Sequence, residues 1–320
     1  MTSRFDQKLA GPLVGRLLII GMGLIGSSIA RAVKLRHIAA TVIACDLSPE
    51  VRERVRVLGF ADEISGDAAA AAASADLIIF AVPVGANEAV ARLVGPHIRP
   101  GTIVSDTGSV KAQVIAAIAP HLPAGVPLVP AHPVAGTEYS GPDAGFATLF
   151  QNRWCILTPP DGTDAKATAI VSAFWGALGS NVETMSAEHH DLVLAITSHV
   201  PHLIAYNIVG TADDLEAVTE SEVIKFSAGG FRDFTRIAAS DPTMWRDVFL
   251  HNKPAVLEML GRFTEDLIAL QRKIRHGDGD GLFELFTRTR AIRRSIIEQG
   301  QETAAPDFGR RDTDGEKPDQ

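Results

Sequence analysis

The sequence predicts an α/β fold in which a mostly parallel, helix-covered sheet is followed by an all-helical domain. Short apolar runs alternate with alanine-rich helical segments up to about residue 185, and the first run leads into a glycine-rich turn. After Asn181-Val182-Glu183 the strand signals stop and long helical patterns follow. We therefore predict an N-terminal extension at residues 1–15, a sheet domain at 16–185, a helical domain at 186–298 and a disordered polar tail at 299–320.

The glycine-rich turn follows the apolar run at residues 17–20 and reads Gly21-Met22-Gly23-Leu24-Ile25-Gly26. Gly21 permits the tight turn, Gly23 lets the backbone approach a pyrophosphate, and Gly26 lets the following helix pack closely on the strand. The N-terminus of that helix, at Leu24 and Ile25, presents free N–H groups and a positive dipole end. The pattern predicts a Rossmann-type dinucleotide site.

An acidic residue stands where such a site needs one. The second predicted strand, residues 41–45, ends at Asp46, which is twenty residues past Gly26 and can accept hydrogen bonds from ribose hydroxyls. Because its charge repels a 2′-phosphate, the sequence favours NAD over NADP as the cofactor. Arg52 and Arg54 lie close by, and we expect them on a solvated helix face. Val82 and Asp106, each directly after a later predicted strand, complete the predicted cofactor-binding set.

The remaining elements alternate along the chain. Strands are predicted at residues 77–81, 102–105, 127–129 and 154–157, and helices at 86–94, 110–118 and 165–178. Ser186 is predicted to cap the first helix of the second domain, with Glu188 and Asp191 in its first turns. That helix is apolar on most sides around residues 192–196 and 203–208. We expect it to be buried, either in the domain centre or against a second subunit.

Composition narrows the class of protein. The chain has 320 residues, 46% of them hydrophobic, which is enough for a sizeable core. It carries 30 Lys and Arg against 38 Asp and Glu, a net charge of −8, so we expect neither a nucleic-acid nor a membrane partner. The two cysteines, Cys45 and Cys155, fall in predicted strands and are expected to be buried thiols. With no secretory signal and no apolar run of membrane-spanning length, we expect a cytoplasmic protein.

Four separated motifs give the sequence a specific resemblance. They are Asp106-Thr107-Gly108-Ser109-Val110-Lys111, His132-Pro133-Val134-Ala135-Gly136-Thr137-Glu138, His199-Val200-Pro201-His202, and Gly229-Gly230-Phe231-Arg232-Asp233-Phe234-Thr235-Arg236-Ile237-Ala238. In this order and spacing, the chain resembles the prephenate/arogenate (cyclohexadienyl) dehydrogenase family of tyrosine biosynthesis from about residue 17 to about residue 294. The resemblance implies an NAD-linked oxidoreductase that decarboxylates prephenate to 4-hydroxyphenylpyruvate, or arogenate to tyrosine. It also implies a homodimer built through the helical domain.

His132 is the candidate general base for that reaction. A neutral imidazole can take the proton of the ring 4-hydroxyl near neutral pH, a role worth roughly 10²–10⁴-fold in rate. We expect His132 just beyond the fifth predicted strand, at the carboxyl edge of the sheet where ligands bind. By resemblance, Ser109 hydrogen-bonds the same hydroxyl or the imidazole. Ser109 also follows Gly108 at the start of a predicted helix, where capping alone would explain it.

Arg236 is the expected carboxylate clamp, because a guanidinium binds a carboxylate bidentately and stays charged when water is excluded. The resemblance makes His202 a hydrogen-bond donor to the substrate side chain and Trp245 a wall of the pocket, whereas core packing is the alternative for both. His199 and His202 lie three residues apart, but a zinc site is not expected because further ligands lie two to three helical turns away. Asp241 is expected to cap the helix that begins at Pro242.

Three further residues are candidates for contact with the substrate. Lys111 is placed to assist an anionic substrate, and Thr137 and Glu138 either contact the substrate or stabilise the turn after Gly136. A carboxylate at Glu138 favours the ammonium group of arogenate, whereas a histidine donor at 202 suits the ketone of prephenate. The choice between the two substrates therefore stays open, and a dual-specificity enzyme is consistent with both.

Two other functions are compatible with a dinucleotide-binding sheet followed by helices. A β-hydroxyacid dehydrogenase would carry a lysine followed about four residues later by asparagine, but Lys225 is followed by Phe226-Ser227-Ala228-Gly229. A non-catalytic NAD sensor would have no use for a histidine and a serine beside the cofactor. Substitution of His132 separates a sensor from an enzyme.

Overall fold

The computed structural model describes residues 11–216 and 229–298. The predicted tail at 299–320, the first ten residues of the predicted extension and the comparison at Lys225 lie outside these described residues. Two compact units divide the chain, Met1–Val256 and Leu257–Gln320. The domain boundary at 185/186 stays a prediction.

The main sheet of the first unit is parallel throughout. Its strands are β1 (Val14–Ile20), β2 (Ala39–Cys45), β3 (Glu63–Ser65), β4 (Leu77–Phe80) and β5 (Ile103–Asp106), in the order β3-β2-β1-β4-β5. The central strands are almost entirely buried on both faces, which is why they read as continuous apolar runs. The sequence analysis missed β3, because Glu63-Ile64-Ser65 contains a single apolar residue. The predicted α/β class is confirmed.

Helices cover this sheet. They are α1 (Leu24–Arg36), α2 (Pro49–Leu58), α3 (Ala68–Ala72), α4 (Asn87–Val94), α5 (Ala112–Ile118) and α6 (Ala165–Leu178). Three of them begin at a side-chain cap: Ser48 accepts a hydrogen bond from Val51 N, Asp67 from Ala70 N and Asp164 from Lys166 N. The helices α1 and α5 have no cap from their own N-terminal residue. Both begin at the candidate site.

A second sheet departs from the predicted topology. Its strands are β6 (Ala131–Pro133), β7 (Trp154–Leu157) and β8 (Asn181–Thr184), with β6 antiparallel and β8 parallel to β7. The predicted strand at 127–129 forms only one isolated parallel bridge to β5, between Val104 and Leu128. Pro127 and Pro130 lack an N–H group, so this segment cannot extend a ladder. As a result His132 lies within a buried strand, and the expected position in a loop beyond the strand end is corrected.

The rest of the first unit is helical in its described part. A continuous helical run consists of α7 (Ala187–Leu194), a π-helical turn (Ala195–His199) and α8 (Val200–Glu216). Ser186 caps α7 by accepting a hydrogen bond from His189 N, as predicted. After the gap come α9 (Gly229–Thr235), a 3-10 turn (Arg236–Ala239) and α10 (Pro242–His251). Asp241 caps α10 through Met244 N, which was also predicted.

The helical run Ala187–Leu215 is long and apolar enough, by length and composition alone, to cross a membrane. The expectation that no segment reaches membrane-spanning length is therefore corrected. Helices from the cores of soluble proteins meet the same criterion, and this one buries His190, Asp191 and His199. Its apolar residues Leu192, Ile196 and Ile208 are exposed in the single chain, so the whole helix is not buried within its own domain.

The second unit is a helical pair in its described part. It contains most of α11 (Lys253–Arg275) and all of α12 (Gly279–Glu298), joined by a short turn. Asp278 accepts hydrogen bonds from Gly281 N and from the Lys273 side chain, each at 2.9 Å, and so fixes the turn. Several large apolar side chains of this unit are exposed: Leu257, Leu267, Ile268, Ile274, Phe283, Phe286 and Ile292.

Candidate active site

The glycine turn between β1 and α1 has the shape that a dinucleotide requires. Gly21 has a φ of 97°, and a Cβ on it would lie 2.5 Å from the carbonyl oxygen of Ala81. A Cβ on Gly26 would lie 2.0 Å from the carbonyl oxygen of Gly21, whereas Gly23 faces open space. Gly23 is also the uncapped start of α1, where Leu24 and Ile25 form the first turn. The turn therefore leaves an open approach to uncapped amides, which fits a pyrophosphate.

Asp46 lies at the carboxyl end of β2 and is half-buried. Its carboxylate accepts hydrogen bonds from Met22 N and Ser48 N, each at 2.9 Å, which ties it to the glycine turn. Val82 lies beside the same turn, with its Cγ1 3.1 Å from the Cβ position of Gly21. Asp46 and Val82 thus both lie next to the glycine turn.

Both arginines near Asp46 lie on α2, where Arg54 is exposed as expected and Arg52 is only half-buried. The Arg52 guanidinium folds back and donates to the carbonyl oxygens of Asp46 and Leu47, each at 2.8 Å. Arg54 forms a bidentate pair with Asp143, its Nε lying 2.8 and 2.9 Å from the two carboxylate oxygens. Arg52 therefore places a positive charge next to the residue expected to select NAD.

Asp106 and Lys111 form a fully buried ion pair. Asp106 accepts hydrogen bonds from Gly108 N at 2.7 Å and Ala131 N at 3.3 Å, and Lys111 Nζ donates to the Ala131 carbonyl at 2.8 Å. Burial raises the pKa of Asp106 and lowers the pKa of Lys111, and the attraction between them opposes both shifts. Neither side chain is exposed, so the expected contacts of Asp106 with cofactor and of Lys111 with substrate are corrected. The pair instead fastens the loop 107–110 to β6.

His132 is buried in β6 and is linked to His190 of α7, which in turn is linked to Asp191. Its Nδ1 lies 2.8 Å from Nε2 of His190, and Nδ1 of His190 lies 2.8 Å from Oδ1 of Asp191. Burial, with the nearby charges of His190, Lys111 and His199, holds the pKa of His132 well below its ordinary value. His132 is therefore a neutral imidazole at neutral pH. Its Nε2 has no hydrogen-bond partner in the described part of the chain.

Asp191 also organises the backbone around this pair. Its two carboxylate oxygens accept hydrogen bonds from Lys111 N at 2.8 Å and Ala112 N at 2.9 Å. Asp191 therefore caps α5 from another helix, in place of the missing cap in α5's own sequence. The Asn252 side chain donates to the Asp191 carbonyl at 2.8 Å and to Nδ1 of His199 at 3.1 Å. Burial lowers the pKa of His199 to about 4.

Ser109 lies in the loop before α5 and is half-buried. The helix begins at Ala112, and its N-terminal amides bind the Asp191 carboxylate. The capping explanation for Ser109 is therefore wrong. Its hydroxyl makes no hydrogen bond within residues 11–216 and 229–298, so it is available to a ligand.

His202 and Trp245 stack on each other, with ring centroids 3.6 Å apart and an interplanar angle of 23°. Nδ1 of His202 donates to the Ser198 carbonyl at 2.9 Å, and burial lowers the pKa of His202. In the neutral ring Nε2 is then a hydrogen-bond acceptor. The expected donor role of His202 would need an added proton, so the structure favours an acceptor at this position.

Arg236 begins the 3-10 turn after α9 and pairs with Glu138, at 3.2 Å between Nη1 and Oε2. Arg236 is partly exposed and Glu138 is less so, with side-chain exposures of 41% and 22%. Thr137 Oγ1 accepts a hydrogen bond from Tyr139 N at 3.3 Å, which is the turn-stabilising role. Arg232 is exposed and pairs with Asp233.

The separate motifs meet in one region of the first unit. The charge of Arg236 lowers the pKa of His202, His202 lowers that of His199, and His199 lowers that of His132. The ring of Trp245 joins this series, since its centroid lies 3.6 Å from that of His202 and 6.1 Å from that of His199. The region therefore contains both the predicted carboxylate clamp, Arg236, and the predicted base, His132. Sequence reasoning missed His190, Asp191 and Asn252. The available signal was the polar pair His190-Asp191 directly before an apolar helical run, where burial would demand partners.

Two family models together match most of the chain. The model described as "Prephenate dehydrogenase, nucleotide-binding domain" matches residues 29–184. The model described as "Prephenate dehydrogenase, dimerization domain" matches residues 186–288. The two matches meet where the strand signals stop in the sequence.

Individual proteins give the same result. The chain is 45% identical over 280 residues to a cyclohexadienyl dehydrogenase of Zymomonas mobilis, covering 88% of this chain and 95% of the relative. It is 33% identical to a prephenate dehydrogenase of Bacillus subtilis, covering 91% and 78% of the two chains. A crystal structure of prephenate dehydrogenase from Aquifex aeolicus with hydroxyphenyl propionate and NAD⁺ is 32% identical, with a TM-score of 0.84, and covers 91% of this chain and 100% of that one.

Proposed function

The chain belongs to the prephenate dehydrogenase family, and on that basis we propose that it is an NAD-dependent enzyme that oxidises and decarboxylates prephenate to 4-hydroxyphenylpyruvate and also converts arogenate to tyrosine. The observation that carries the proposal is the neutral, buried imidazole of His132, whose Nε2 is left without a partner among the described residues. A general base must be unprotonated before it can take a hydroxyl proton, and the lowered pKa keeps His132 in that form near neutral pH.

The residues present fit NAD. The open approach at Gly23, the amides of Leu24 and Ile25, the carboxylate of Asp46 and the side of Val82 would hold its pyrophosphate and ribose. When bound, NAD accepts the hydride that the ring carbon C4 loses. Because the positive charge of Arg52 lies beside Asp46, NADP is the alternative cofactor, and its use has to be compared with that of NAD in an assay.

His132 removes the proton of the 4-hydroxyl while the C1 carboxylate leaves as carbon dioxide. Formation of the aromatic ring drives both bond changes, so the protein mainly orients the ring and accepts one proton. The Ser109 hydroxyl makes no hydrogen bond among the described residues, and in this proposal it holds the reacting hydroxyl against the imidazole. Positioning of this kind lowers the barrier without further chemistry from the chain.

Arg236 binds the side-chain carboxylate of the substrate, and Trp245 with His202 forms the wall beside it. In the described structure Glu138 is bound to the Arg236 guanidinium, so the substrate carboxylate exchanges with a carboxylate of the chain. A neutral His202 with Nε2 as acceptor suits the ammonium group of arogenate. A protonated His202 would suit the ketone of prephenate.

We also propose a homodimer formed through the helical part of the chain. The family model that matches residues 186–288 is described as a dimerization domain. Each unit exposes apolar side chains that a second copy could cover: Ile208 and Val209 on α8 in the first unit, and Phe283, Phe286 and Ile292 in the second. Because the apolar helical run buries His190, Asp191 and His199, a second protein copy suits it better than lipid. We place the enzyme, as a soluble protein, in the cytoplasm.

The test is a side-by-side steady-state assay of prephenate and arogenate with NAD and with NADP. We expect turnover of both substrates with NAD, and inactivity of both would overturn the proposal. His132→Asn should lower kcat by roughly 10²–10⁴-fold. Binding of NAD, followed by quenching of intrinsic fluorescence, should not change. A variant that keeps wild-type turnover would remove His132 as the base and would support a binding role instead.

A further inference from the structure

We propose that His190 and Asp191 form a relay behind His132, which fixes the tautomer of His132 and takes over the proton that His132 removes from the substrate. The inference rests on the proposed function, since it assigns the path of the proton in that reaction. None of the sequence motifs contains either residue, and both lie on α7, on the side of His132 away from its partnerless Nε2.

The tautomer of His132 follows from the hydrogen bonds that run from Asp191 through His190 to His132. Asp191 accepts two backbone N–H bonds at its carboxylate, so it acts there as an acceptor. Nδ1 of His190, at 2.8 Å from Asp191 Oδ1, must therefore carry a hydrogen. A neutral His190 then has a lone pair on Nε2, and Nδ1 of His132, at 2.8 Å, must donate to it. This leaves the lone pair of His132 on Nε2, the atom that needs it.

The proton step balances within these groups. The O–H bond of the substrate breaks and an Nε2–H bond forms on His132. The Nδ1–H bond of His132 then breaks and an Nε2–H bond forms on His190, so His132 returns to neutrality with its hydrogen moved from Nδ1 to Nε2. The positive charge comes to rest on His190 beside the Asp191 carboxylate. Loss of carbon dioxide leaves the ring oxygen of the product as a phenolate, which is more basic than either imidazole. Reversal of the same transfers returns the proton through His132 Nε2 to that oxygen, so the product leaves as a phenol and the enzyme returns to its starting state.

The charged groups around His132 and His190 favour transfer of the proton from His132 to His190. Burial and the charges of His190, Lys111 and His199 all lower the pKa of His132. Burial and the charge of Lys111 also lower the pKa of His190, but hydrogen bonding and charge from Asp191, together with the charge of Asp106, oppose that shift. Of the two imidazoles, His190 is therefore the better resting place for a positive charge.

Asp191 is held firmly enough to serve as the end of the relay. Its carboxylate is bound to the first amides of α5 and its carbonyl to Asn252. It is 5% exposed, so water does not compete for the carboxylate. The same contacts mean that loss of the Asp191 side chain would disturb α5 as well as His190.

The kinetic test uses His190→Gln, whose side-chain oxygen accepts a hydrogen bond near the position of Nε2 but takes no proton. We expect kcat to fall on the order of 10–100-fold, the effect typical of a partner behind a functional histidine, with KM within about threefold. In Asp191→Asn the acid limb of the kcat/KM profile should move to lower pH, because the carboxylate that stabilises protonated His190 is gone. His189→Gln, an exposed neighbour on α7, is the matched control and should behave as wild type.

The structural test is independent of turnover. ¹⁵N NMR of histidine-labelled wild type, assigned by loss of signals in His132→Asn, should show His132 with its hydrogen on Nδ1. His190→Gln should keep that tautomer and His190→Leu should lose it. A wild-type His132 protonated on Nε2, or a His190→Gln enzyme with wild-type kcat, would overturn the relay. Inactivity of wild type on both substrates would instead overturn the proposed function, while the tautomer would still be readable.

Discussion

Gly23 and Gly26 have different functions in the turn after β1. A Cβ on Gly26 would lie 2.0 Å from a backbone oxygen of Gly21, which cannot move without breaking the turn. A Cβ on Gly23 would meet nothing within 4 Å. Gly26 is therefore required by the fold, whereas Gly23 is required only by a ligand that approaches the backbone.

This difference gives a prediction at the residue scale. Gly23→Ala should leave the melting temperature close to wild type but raise the Kd for NAD about tenfold or more, a loss of roughly 1.4 kcal/mol. Gly26→Ala should lower the melting temperature itself. Thermal unfolding and a fluorescence titration with NAD measure the two effects. A Gly23→Ala protein that binds NAD as wild type does would show that the pyrophosphate does not approach this position.

Some residues of the candidate site could be predicted from the sequence and others could not. His132, Ser109 and Arg236 stand in motifs whose order and spacing are visible in the sequence, so they were proposed as site residues. Asp106 and Lys111 stand in the same motif, yet they pair with each other at zero exposure. A motif does not reveal which polar residues satisfy one another. His190, Asp191 and Asn252 depend on contacts 53 to 80 residues apart in the chain, which no local pattern contains.

Among the helices, α10 carries Trp245 to His202 and depends on its N-terminal cap. Asp241 accepts a hydrogen bond from Met244 N at 2.8 Å, and Pro242 occupies the first helical position. Correct placement of the Trp245 ring follows from where this helix begins. The cap therefore bears on the proposed substrate pocket at Trp245 as well as on stability.

We predict that Asp241→Ala lowers the free energy of unfolding by about 1 kcal/mol, the usual value of such a cap. Asp241→Ser, which keeps a capping oxygen, should recover most of it. Urea unfolding of the three proteins at one pH makes the comparison. Equal stability of the Ala and Ser variants would mean that the hydrogen bond to Met244 contributes nothing.

Most elements of the fold were predictable from periodicity, and the failures have local causes. The parallel strands are buried on both faces and so appear as apolar runs. The segment at 127–129 has the composition of a strand, but prolines on both sides limit it to one bridge. A run of apolar residues indicates that a segment is buried, but it does not show whether the backbone can form the hydrogen bonds of a sheet. That is why His132 was expected in a loop and lies in a strand.

At the scale of the whole molecule, three histidines are buried in the neutral state. They are His132, His190 and His199, and burial lowers the pKa of each. The unfolded chain takes up protons at about pH 6.5, whereas the folded chain does so only at lower pH. Folding stability is therefore complete above about pH 6.5 and is lost as the pH falls below it.

Burial of neutral His199 makes the folded protein less stable as the pH falls. Its folded pKa is about 4, so the loss between pH 6.5 and 4 is about 3 kcal/mol at roughly 1.4 kcal/mol per pH unit. Urea unfolding at pH 7.5, 6 and 5 should show this decline, and His199→Gln should flatten it. His276→Gln, at an exposed position, is the control and should leave the slope unchanged. An identical slope in the wild type and His199→Gln would contradict the prediction.

The π-helical turn at Ala195–His199 acts as an angular spacer between the two halves of the long helix. Asp191 and His199 are eight residues apart, and at roughly 100° per residue a regular α-helix would separate their directions by about 80°. One residue inserted by the wider turn removes about one such step and brings both onto a single side. Asn252 can then span them, binding the carbonyl of one and the ring of the other. A single surplus residue thereby aligns Asp191, which we propose for the proton relay, with His199 on one side of the helix.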